Sequence, residues 1–305
     1  MTKSICMTRR DFIRRVGALG AAGMFPLPAI GACQETLPPY LKDEGWQIGC
    51  WTRPWAKFDY RVAMDEIAEA GFRYMATTGA KTSTGRVIAP GTSLAEAERV
   101  GEEARQRGLT ITNAYGGGIA LHEGRDPLTK LIDNCAAAGA RSVLIAHMGD
   151  KNTYDAHCLA IAESCEYAAR HKIVIVLKPH GGMTGTGRQL RNALERVNHG
   201  HFTLMYDPGN IYYYSDGEID PVQDVAHVAG LITGVSIKDY QHPRNVALSP
   251  GTGQVEFREL MVKLRNGGFH HGPLLVETLA PGDQADTRNE ATKARKFVET
   301  LVRGI

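Results

Sequence analysis

The sequence predicts an α/β protein, a single closed (β/α)8 barrel of parallel strands that is preceded by a short N-terminal segment. Short apolar, β-branched runs alternate with stretches of helical periodicity from Trp46 to the C-terminus. Eight strand–helix units can be counted, which is the number found in a closed barrel of this class. The apolar runs are nearly continuous, as expected for strands that are buried on both faces. These observations favour the barrel over a doubly wound open sheet, which is the second candidate.

The predicted elements follow one another regularly along the chain. The strands comprise residues 47–51, 72–77, 109–114, 142–147, 173–178, 202–206, 234–238 and 274–277. The helices comprise residues 60–70, 94–107, 128–138, 154–171, 189–197, 221–229, 257–265 and 288–301. Apolar residues such as Ala63, Ile67 and Ala70 share one helical face, and glycines such as Gly71 and Gly108 end the helices. No G-x-G-x-x-G follows the first strand directly, which argues against a dinucleotide-binding site.

The first 33 residues are typical of an export signal. Arg9 and Arg10 precede a weakly hydrophobic, glycine-rich run over residues 16–32, which is the order of a twin-arginine signal peptide. We therefore expect residues 34–305 to form the barrel domain of an exported, periplasmic protein, with an amphipathic helix of the fold as the alternative. The run ends at Cys33 in a sequence that resembles a lipobox, so we expect either a lipid anchor on this cysteine or ordinary cleavage nearby. It is too short and too glycine-rich to span a membrane.

Charge and cysteine usage narrow the classes of function. The whole chain has a formal net charge of +2, but residues 1–33 hold five basic residues and one acidic residue, which leaves −2 for the mature chain. Such a domain has no electrostatic basis for binding nucleic acid, so we expect no nucleic-acid partner. The cysteines of the mature chain show no C-x-x-C spacing, and an oxidising compartment permits disulfides between them without requiring them.

Polar side chains stand at the C-terminal ends of the predicted strands, where barrels of this kind carry their active sites. In chain order these residues are Trp51, Thr52, Arg53, Thr77, Thr78, Asn113, Tyr115, His147, Lys178, His180, Asp207, Asn210, Lys238, Asp239 and Glu277. Charged residues on buried strands are rare without a partner or a purpose. Because six strand ends in succession carry such residues, we predict an active site at this end of the barrel.

Three of these residues form a candidate metal site. His180, Asp207 and Glu277 provide the mixed nitrogen and oxygen ligands that suit Mn²⁺, Zn²⁺ or Mg²⁺. Lys178 and His180 leave the fifth strand two residues apart, so both side chains can point toward the same mouth of the barrel. The alternative is that the two carboxylates pair with Lys178 and Lys238 as buried ion pairs and that no metal binds.

The sequence from residue 34 onward resembles the xylose-isomerase-like TIM-barrel superfamily, which includes sugar isomerases and epimerases and is related to endonuclease IV. The motifs that carry the resemblance are Lys178-Pro-His-Gly-Gly182, Tyr206-Asp-Pro-Gly-Asn-Ile211, Lys238-Asp239, Gly251-Thr-Gly253 and Val276-Glu277. In the sugar epimerases two glutamates, an aspartate and a histidine hold one metal ion. The aspartate carries over to Asp207 and the last glutamate to Glu277. The first glutamate is replaced by Lys178 and the histidine by Ser236, so two of the four ligands do not carry over.

The resemblance implies an enzyme that isomerises or epimerises a sugar by metal-assisted proton abstraction next to its carbonyl group. We expect Lys178 or Glu277 to move the proton and Lys238 to stabilise the developing negative charge. The residues expected to bind the carbohydrate are Trp51, Asn113, Tyr115, His147 and Asn210.

Two other functions stay open at this point. A lyase that acts on 3-keto-glycosides by β-elimination would share the first proton-abstraction step. A non-catalytic carbohydrate-binding barrel is the second alternative, because two metal ligands are missing. An endonuclease is disfavoured, since the chain lacks most of the histidines that its three metals require.

Overall fold

The eight predicted strands close into a barrel in the computed structural model, which describes residues 45–117, 121 and 126–305. The strands are β1 (Trp46–Trp51), β2 (Tyr74–Thr77), β3 (Thr110–Gly117), β4 (Ser142–Ile145), β5 (Val174–Leu177), β6 (Phe202–Tyr206), β7 (Ile232–Ile237) and β8 (Gly272–Val276). Strands that are consecutive in the sequence pair in parallel, and β8 pairs with β1 to close the sheet. The predicted fold class is confirmed.

Helices connect the strands at nearly the predicted positions. The described α-helices are α1 (Tyr60–Glu69), α2 (Leu94–Gln106), α3 (Asp126–Ala138), α4 (Tyr154–Arg170), α5 (Gly187–Val197), α6 (Pro208–Tyr214), α7 (Pro221–Asp224), α8 (Phe257–Asn266) and α9 (Gln284–Arg303). The predicted helix at 221–229 is divided into α7 and a 3-10 turn at Val225–His227. A helix over α6 was not predicted. It forms because the Asp207 carboxylate accepts the N–H of Asn210 and Pro208 occupies the first helical position.

Two hydrophobic clusters lie on the two sides of the strands. The larger one combines strand residues such as Ile175 and Leu204 with helix residues such as Leu260, so it fills the layer between the sheet and the helices. The buried residues of the smaller one come from strands alone: Trp51, Ala76, Leu144, Val174, Val176, Met205 and Leu275. This second cluster fills the barrel interior and supports the side chains at the C-terminal ends of the strands.

The predicted export signal at residues 1–33 lies outside the described residues. Within the part of the chain that the structure covers, no helix combines the length and the apolar character needed to cross a bilayer. The four described cysteines, Cys50, Cys135, Cys158 and Cys165, are buried free thiols.

Candidate active site

Four charged side chains meet at the ends of the last four strands. Lys178, Asp207, Lys238 and Glu277 are each the first residue after β5, β6, β7 and β8, respectively. All four are at most 4% exposed. Parallel strands in register bring their carboxyl ends to one rim of the barrel, so the local position of each residue is sufficient to bring the four together.

The Asp207 carboxylate is fully occupied by hydrogen-bond donors. Its Oδ2 accepts from Lys178 Nζ at 2.7 Å and from Lys238 Nζ at 3.1 Å. Its Oδ1 accepts the backbone N–H of Asn210 at 2.9 Å, and the Asn210 side chain in turn accepts from Lys238 Nζ at 2.9 Å. Asn210 also donates to the Pro179 carbonyl at 2.6 Å, which ties α6 to the end of β5.

The Glu277 carboxylate is occupied in the same way. Its Oε2 accepts from Lys178 Nζ and from Ser236 Oγ, the latter at 2.6 Å. Its Oε1 lies 2.5 Å from Lys238 Nζ and accepts from Arg53 Nη1 at 2.6 Å. Two buried carboxylates therefore contact three cationic side chains, of which Lys178 and Lys238 are buried and Arg53 is 46% exposed.

The metal site predicted at His180, Asp207 and Glu277 is not formed. Among the described residues, no group of three or more His, Cys, Asp or Glu side chains is placed to hold a metal ion. All four carboxylate oxygens of Asp207 and Glu277 already accept N–H or O–H groups, and the adjacent positive charges disfavour a further cation. The donor set thus does not fit a divalent ion. The alternative arrangement, buried ion pairs with Lys178 and Lys238, is the one found.

His180 lines the same cavity in a different environment. Its ring centroid lies 6.1 Å from that of Tyr115, 5.8 Å from that of His147 and 6.0 Å from that of Tyr214. Burial, followed by the positive charge of Lys178, lowers the pKa of His180 to about 2. The imidazole is therefore neutral at physiological pH and adds no charge to the site.

The buried network shifts the pKa values of its members in opposite directions. Burial alone would lower the pKa of Lys178, but the charges of Asp207 and Glu277 outweigh burial and raise it. Burial lowers the pKa of Lys238, and the same two carboxylates only partly offset that effect. Burial would raise the pKa of Glu277, but Lys178, Lys238 and Arg53 hold it well below its ordinary range. Glu277 is consequently a weak base at neutral pH.

A cavity of about 470 Å³ opens above the network. Its described lining is polar and aromatic: Trp51, Arg53, Ala56, Thr78, Gly79, Gly85, Arg86, Tyr115, Lys178, His180, Asn210, Tyr213, Tyr214, Lys238, Val246 and Glu277. Trp51, Tyr115 and Asn210, all predicted from the sequence, are among these residues. The Trp51 indole N–H is buried and has no hydrogen-bond partner in the described structure, and Lys178 Nζ lies 5.9 Å from the Trp51 ring centroid. The volume suits a small molecule.

Asn113 is not part of this site, contrary to the sequence prediction. β3 continues to Gly117, so Asn113 lies inside the strand rather than at its end. It lines a separate cavity of about 70 Å³ together with residues such as Gln47 and Thr203 from the opposite ends of their strands. His147 is exposed and contacts His180, but it is not among the described residues that line the 470 Å³ cavity.

Asp239 and the Gly251-Thr-Gly253 motif shape the rim of the cavity. The Asp239 carboxylate accepts the backbone N–H groups of Tyr240, Gly251, Gly253 and Val255, which organises the loop between β7 and α8. A side chain at Gly253 would place Cβ 2.4 Å from Asp239 Oδ1, so glycine is required there.

Arg86 and Ser236 were not selected from the sequence as site residues. Ser236 is the next-to-last residue of β7. The family resemblance marks it only as the replacement of a histidine. Arg86 lies in the loop between β2 and α2, and no strand end or periodic pattern marks it. Its place in the cavity wall depends on the folding of that loop.

Residues 64–301 match the sequence profile of the xylose isomerase-like TIM barrel. A comparison with curated proteins finds no relative that matches the sequence. Several solved structures share the fold at low identity. A xylose isomerase domain protein from Planctomyces limnophilus is 17% identical with a TM-score of 0.67, over 86% of this chain and 99% of that one.

Two further solved structures are those of sugar epimerases. D-psicose 3-epimerase from Clostridium cellulolyticum H10 is 14% identical with a TM-score of 0.65, over 84% of this chain and 99% of that one. The 3-keto-D-glucoside 4-epimerase from E. coli is 19% identical with a TM-score of 0.60, over 82% and 99%. At these identities the likeness establishes the fold, whereas the profile match establishes the family. The chain belongs to the xylose isomerase-like TIM-barrel family.

Proposed function

We propose that this protein is a sugar isomerase or epimerase that removes a proton from the carbon next to a sugar carbonyl, with lysine side chains in place of a metal ion. The observation that carries the proposal is the pair of buried lysine side chains, Lys178 and Lys238, at the base of a cavity at the C-terminal end of the barrel strands. Family membership and the sugar epimerases that share the fold support a carbohydrate substrate.

Charge balance supports different roles for the two lysines. Three cations, Lys178, Lys238 and Arg53, face two carboxylates, so the network reaches neutrality when one lysine is uncharged. The pKa of Lys238 is lowered and that of Lys178 is raised, which makes Lys238 the side chain that is more readily neutral. In its neutral form Lys238 gives up one of its three contacts, with Asp207, Asn210 or Glu277, and the freed lone pair accepts the proton from the carbon next to the carbonyl. These roles reverse the expectation drawn from the sequence.

The charged lysine completes the reaction. As the C–H bond breaks, its electron pair moves into the carbonyl and forms an enediolate, whose oxygen is stabilised by the ammonium group of Lys178. Return of the proton from Lys238 to the adjacent carbon, together with transfer of the hydroxyl proton between the two enediolate oxygens, gives an isomer. Delivery of a proton to the opposite face of the same carbon gives an epimer. Glu277 and Asp207 hold the two lysines in place. The Trp51 ring lines the cavity and offers an apolar face to a sugar.

Hydrogen exchange with solvent tests the shared first step. The purified protein is incubated in D2O with D-psicose, D-fructose and methyl 3-keto-D-glucoside, and deuterium next to the carbonyl is followed by NMR. We expect exchange and isomer formation that persist after treatment with EDTA, and we expect Lys238→Met to abolish both. Lys296→Met, at an exposed position on α9, is the matched control and should leave the rate unchanged.

The products and controls separate the alternatives. Release of methanol from the methyl glycoside with exchange would assign the protein as a 3-keto-glycoside lyase instead. Binding of these sugars without exchange would favour a non-catalytic carbohydrate-binding barrel and refute the proposed reaction. Loss of activity in EDTA with recovery on addition of Mn²⁺ would refute the role of lysines in place of a metal.

A further inference from the structure

The cavity above the lysine network carries an excess of positive charge. Its described cationic lining residues are Arg53, Arg86, Lys178 and Lys238. Glu277 is the anionic residue among the described lining, and Asp207 lies fully buried beneath it. With Lys238 neutral, as the proposed reaction requires, three cations and two carboxylates leave one positive charge unbalanced, and the neutral His180 does not change this count. A neutral sugar would leave this charge uncompensated in a partly enclosed space.

Arg86 and Arg53 each use one guanidinium N–H within the described structure, but Arg53 pairs with the Glu277 carboxylate, whereas the partner of Arg86 is a backbone carbonyl. Arg86 Nη1 donates to the carbonyl of Tyr115 at 3.2 Å, and its guanidinium lies 5.1 Å from the centroid of the Tyr115 ring. Among the described residues it forms no ion pair with a carboxylate. A guanidinium has five N–H donors in a planar fork, so most of those of Arg86 are available to a ligand.

The surrounding loop holds Arg86 in this position. Its carbonyl accepts from Thr82 Oγ1 at 2.7 Å and from Thr84 Oγ1 at 3.1 Å, and Arg86 pairs with Gly79 in an antiparallel bridge. The guanidinium then lies across the end of β3, where a Cβ at Gly117 would be 2.0 Å from Arg86 Nη2. Glycine at position 117 therefore makes room for the guanidinium. These contacts fix the backbone of Arg86 and the space that its guanidinium occupies.

We propose that the substrate is an anionic sugar, a sugar acid or a sugar phosphate, whose carboxylate or phosphate is bound by Arg86 together with Arg53. The inference rests on the proposed function for the sugar part of the ligand. Guanidinium groups bind carboxylate and phosphate oxygens in bidentate, charge-assisted pairs. Arg53 uses one N–H on Glu277 and lines the same cavity, so it can contribute a second cationic contact.

Binding is measured by calorimetry on matched ligands, independently of turnover. The probes are D-fructose, D-fructuronate and D-fructose 6-phosphate, together with the corresponding three forms of D-tagatose. We expect at least one carboxylate or phosphate to bind about 10- to 100-fold more tightly than its neutral counterpart, the range of a hydrogen-bonded charged pair. Arg86→Gln should remove most of this difference and leave the affinity for the neutral sugar nearly unchanged. Lys81→Gln removes the same charge from an exposed position in the same loop, and it should retain the difference.

Each outcome bears on one of the two proposals. Tighter binding of carboxylates identifies a sugar acid, and tighter binding of phosphates identifies a sugar phosphate. If no anionic ligand binds more tightly than its neutral counterpart, or if Arg86→Gln weakens both equally, the anionic class is overturned. Deuterium exchange on the same ligands is scored separately. Exchange with neutral and anionic sugars alike, without tighter binding of the anions, would refute the inference but keep the reaction, whereas tight anionic binding without exchange would refute the reaction alone.

Discussion

Each lysine of the buried network contacts both carboxylates, and each carboxylate contacts both lysines. Loss of one side chain therefore changes the charge balance for all the others. Removing one partner of a buried ion pair costs about 3–5 kcal/mol when the remaining charge has no compensation. Stability has to be measured together with activity for every variant of this network. The loss of folding free energy depends on whether the charge that is left without a partner is positive or negative.

Lys178→Met should reduce turnover by about two to four orders of magnitude, the range for a positioned electrostatic or proton-transfer group. The fold should persist, because Lys238 and Arg53 still balance Asp207 and Glu277. Asp207→Asn leaves three cations with one carboxylate, so it should lower the melting temperature more than Lys178→Met does. Unchanged turnover in a well-folded Lys178→Met protein would rule out a catalytic role for this lysine.

The rate should depend on pH through Lys238. An amine accepts a proton only in its neutral form, so turnover should increase with pH through the pKa of Lys238. Burial places that pKa below the ordinary lysine value of 10.5, and the inflection should appear there. Lys238→Arg keeps the charge but cannot lose it, so this variant should be inactive. A rate that falls as pH rises, or an active Lys238→Arg protein, would contradict the assignment of Lys238 as the base.

Among the secondary-structure elements, the strand ends position the charged side chains of the site, and the contacts between helices set the spacing of the outer layer. α6 begins at the catalytic rim, because Asp207 serves both as an N-cap and as a partner of the lysines. α2 and α3 approach closely at Gly101, where a Cβ would lie 2.3 Å from the Ala138 carbonyl oxygen. That contact is possible because glycine has no side chain.

Gly101→Ala should destabilise the protein, although the same change in an exposed helix interior stabilises it by about 1 kcal/mol. The cause is the clash with the backbone of α3, which cannot move without disturbing the helix. Glu98→Ala, at an exposed position on α2, is the control and should alter stability little. Chemical denaturation measures both changes. A more stable Gly101→Ala protein would show that the two helices separate easily.

At the scale of the whole molecule, closure of the barrel joins residues from the two ends of the domain. Arg53 follows β1 and Glu277 follows β8, and they form an ion pair across 224 positions of sequence because β1 pairs with β8. The interior cluster of strand residues beneath this rim excludes water from below and keeps the network buried.

The N-terminal sequence predicts export of this chain, and the twin arginines provide the test of that prediction. Replacing Arg9 and Arg10 by lysines should leave the protein in the cytoplasm, since the twin-arginine pathway reads this pair. Cell fractionation followed by immunoblotting measures the distribution. Cys33→Ser is the companion variant: it should remain exported and should lose any membrane association if this cysteine carries a lipid. Normal export of the double-lysine variant would show that the arginines are incidental.

The barrel could be predicted from the amino-acid sequence, because local periodicity is enough to reveal eight alternating strands and helices. The sequence also determined that Lys178, Asp207, Lys238 and Glu277 would stand at strand ends, since each directly follows a buried apolar run. Strand length was less well determined. β3 extends past Asn113 to Gly117, so the local pattern located its end too early and assigned Asn113 to the wrong cavity.

The contacts that these side chains form with one another are visible in the tertiary structure and not in the sequence. The sequence allowed Asp207 and Glu277 to be either metal ligands or ion-pair partners, because both arrangements use the same residues at the same strand ends. The distances across the rim show that both carboxylates form ion pairs with the lysines, since every carboxylate oxygen accepts from an N–H or O–H group. The position of Arg86 likewise depends on a folded loop and on the space at Gly117, and neither has a periodic signal in the sequence.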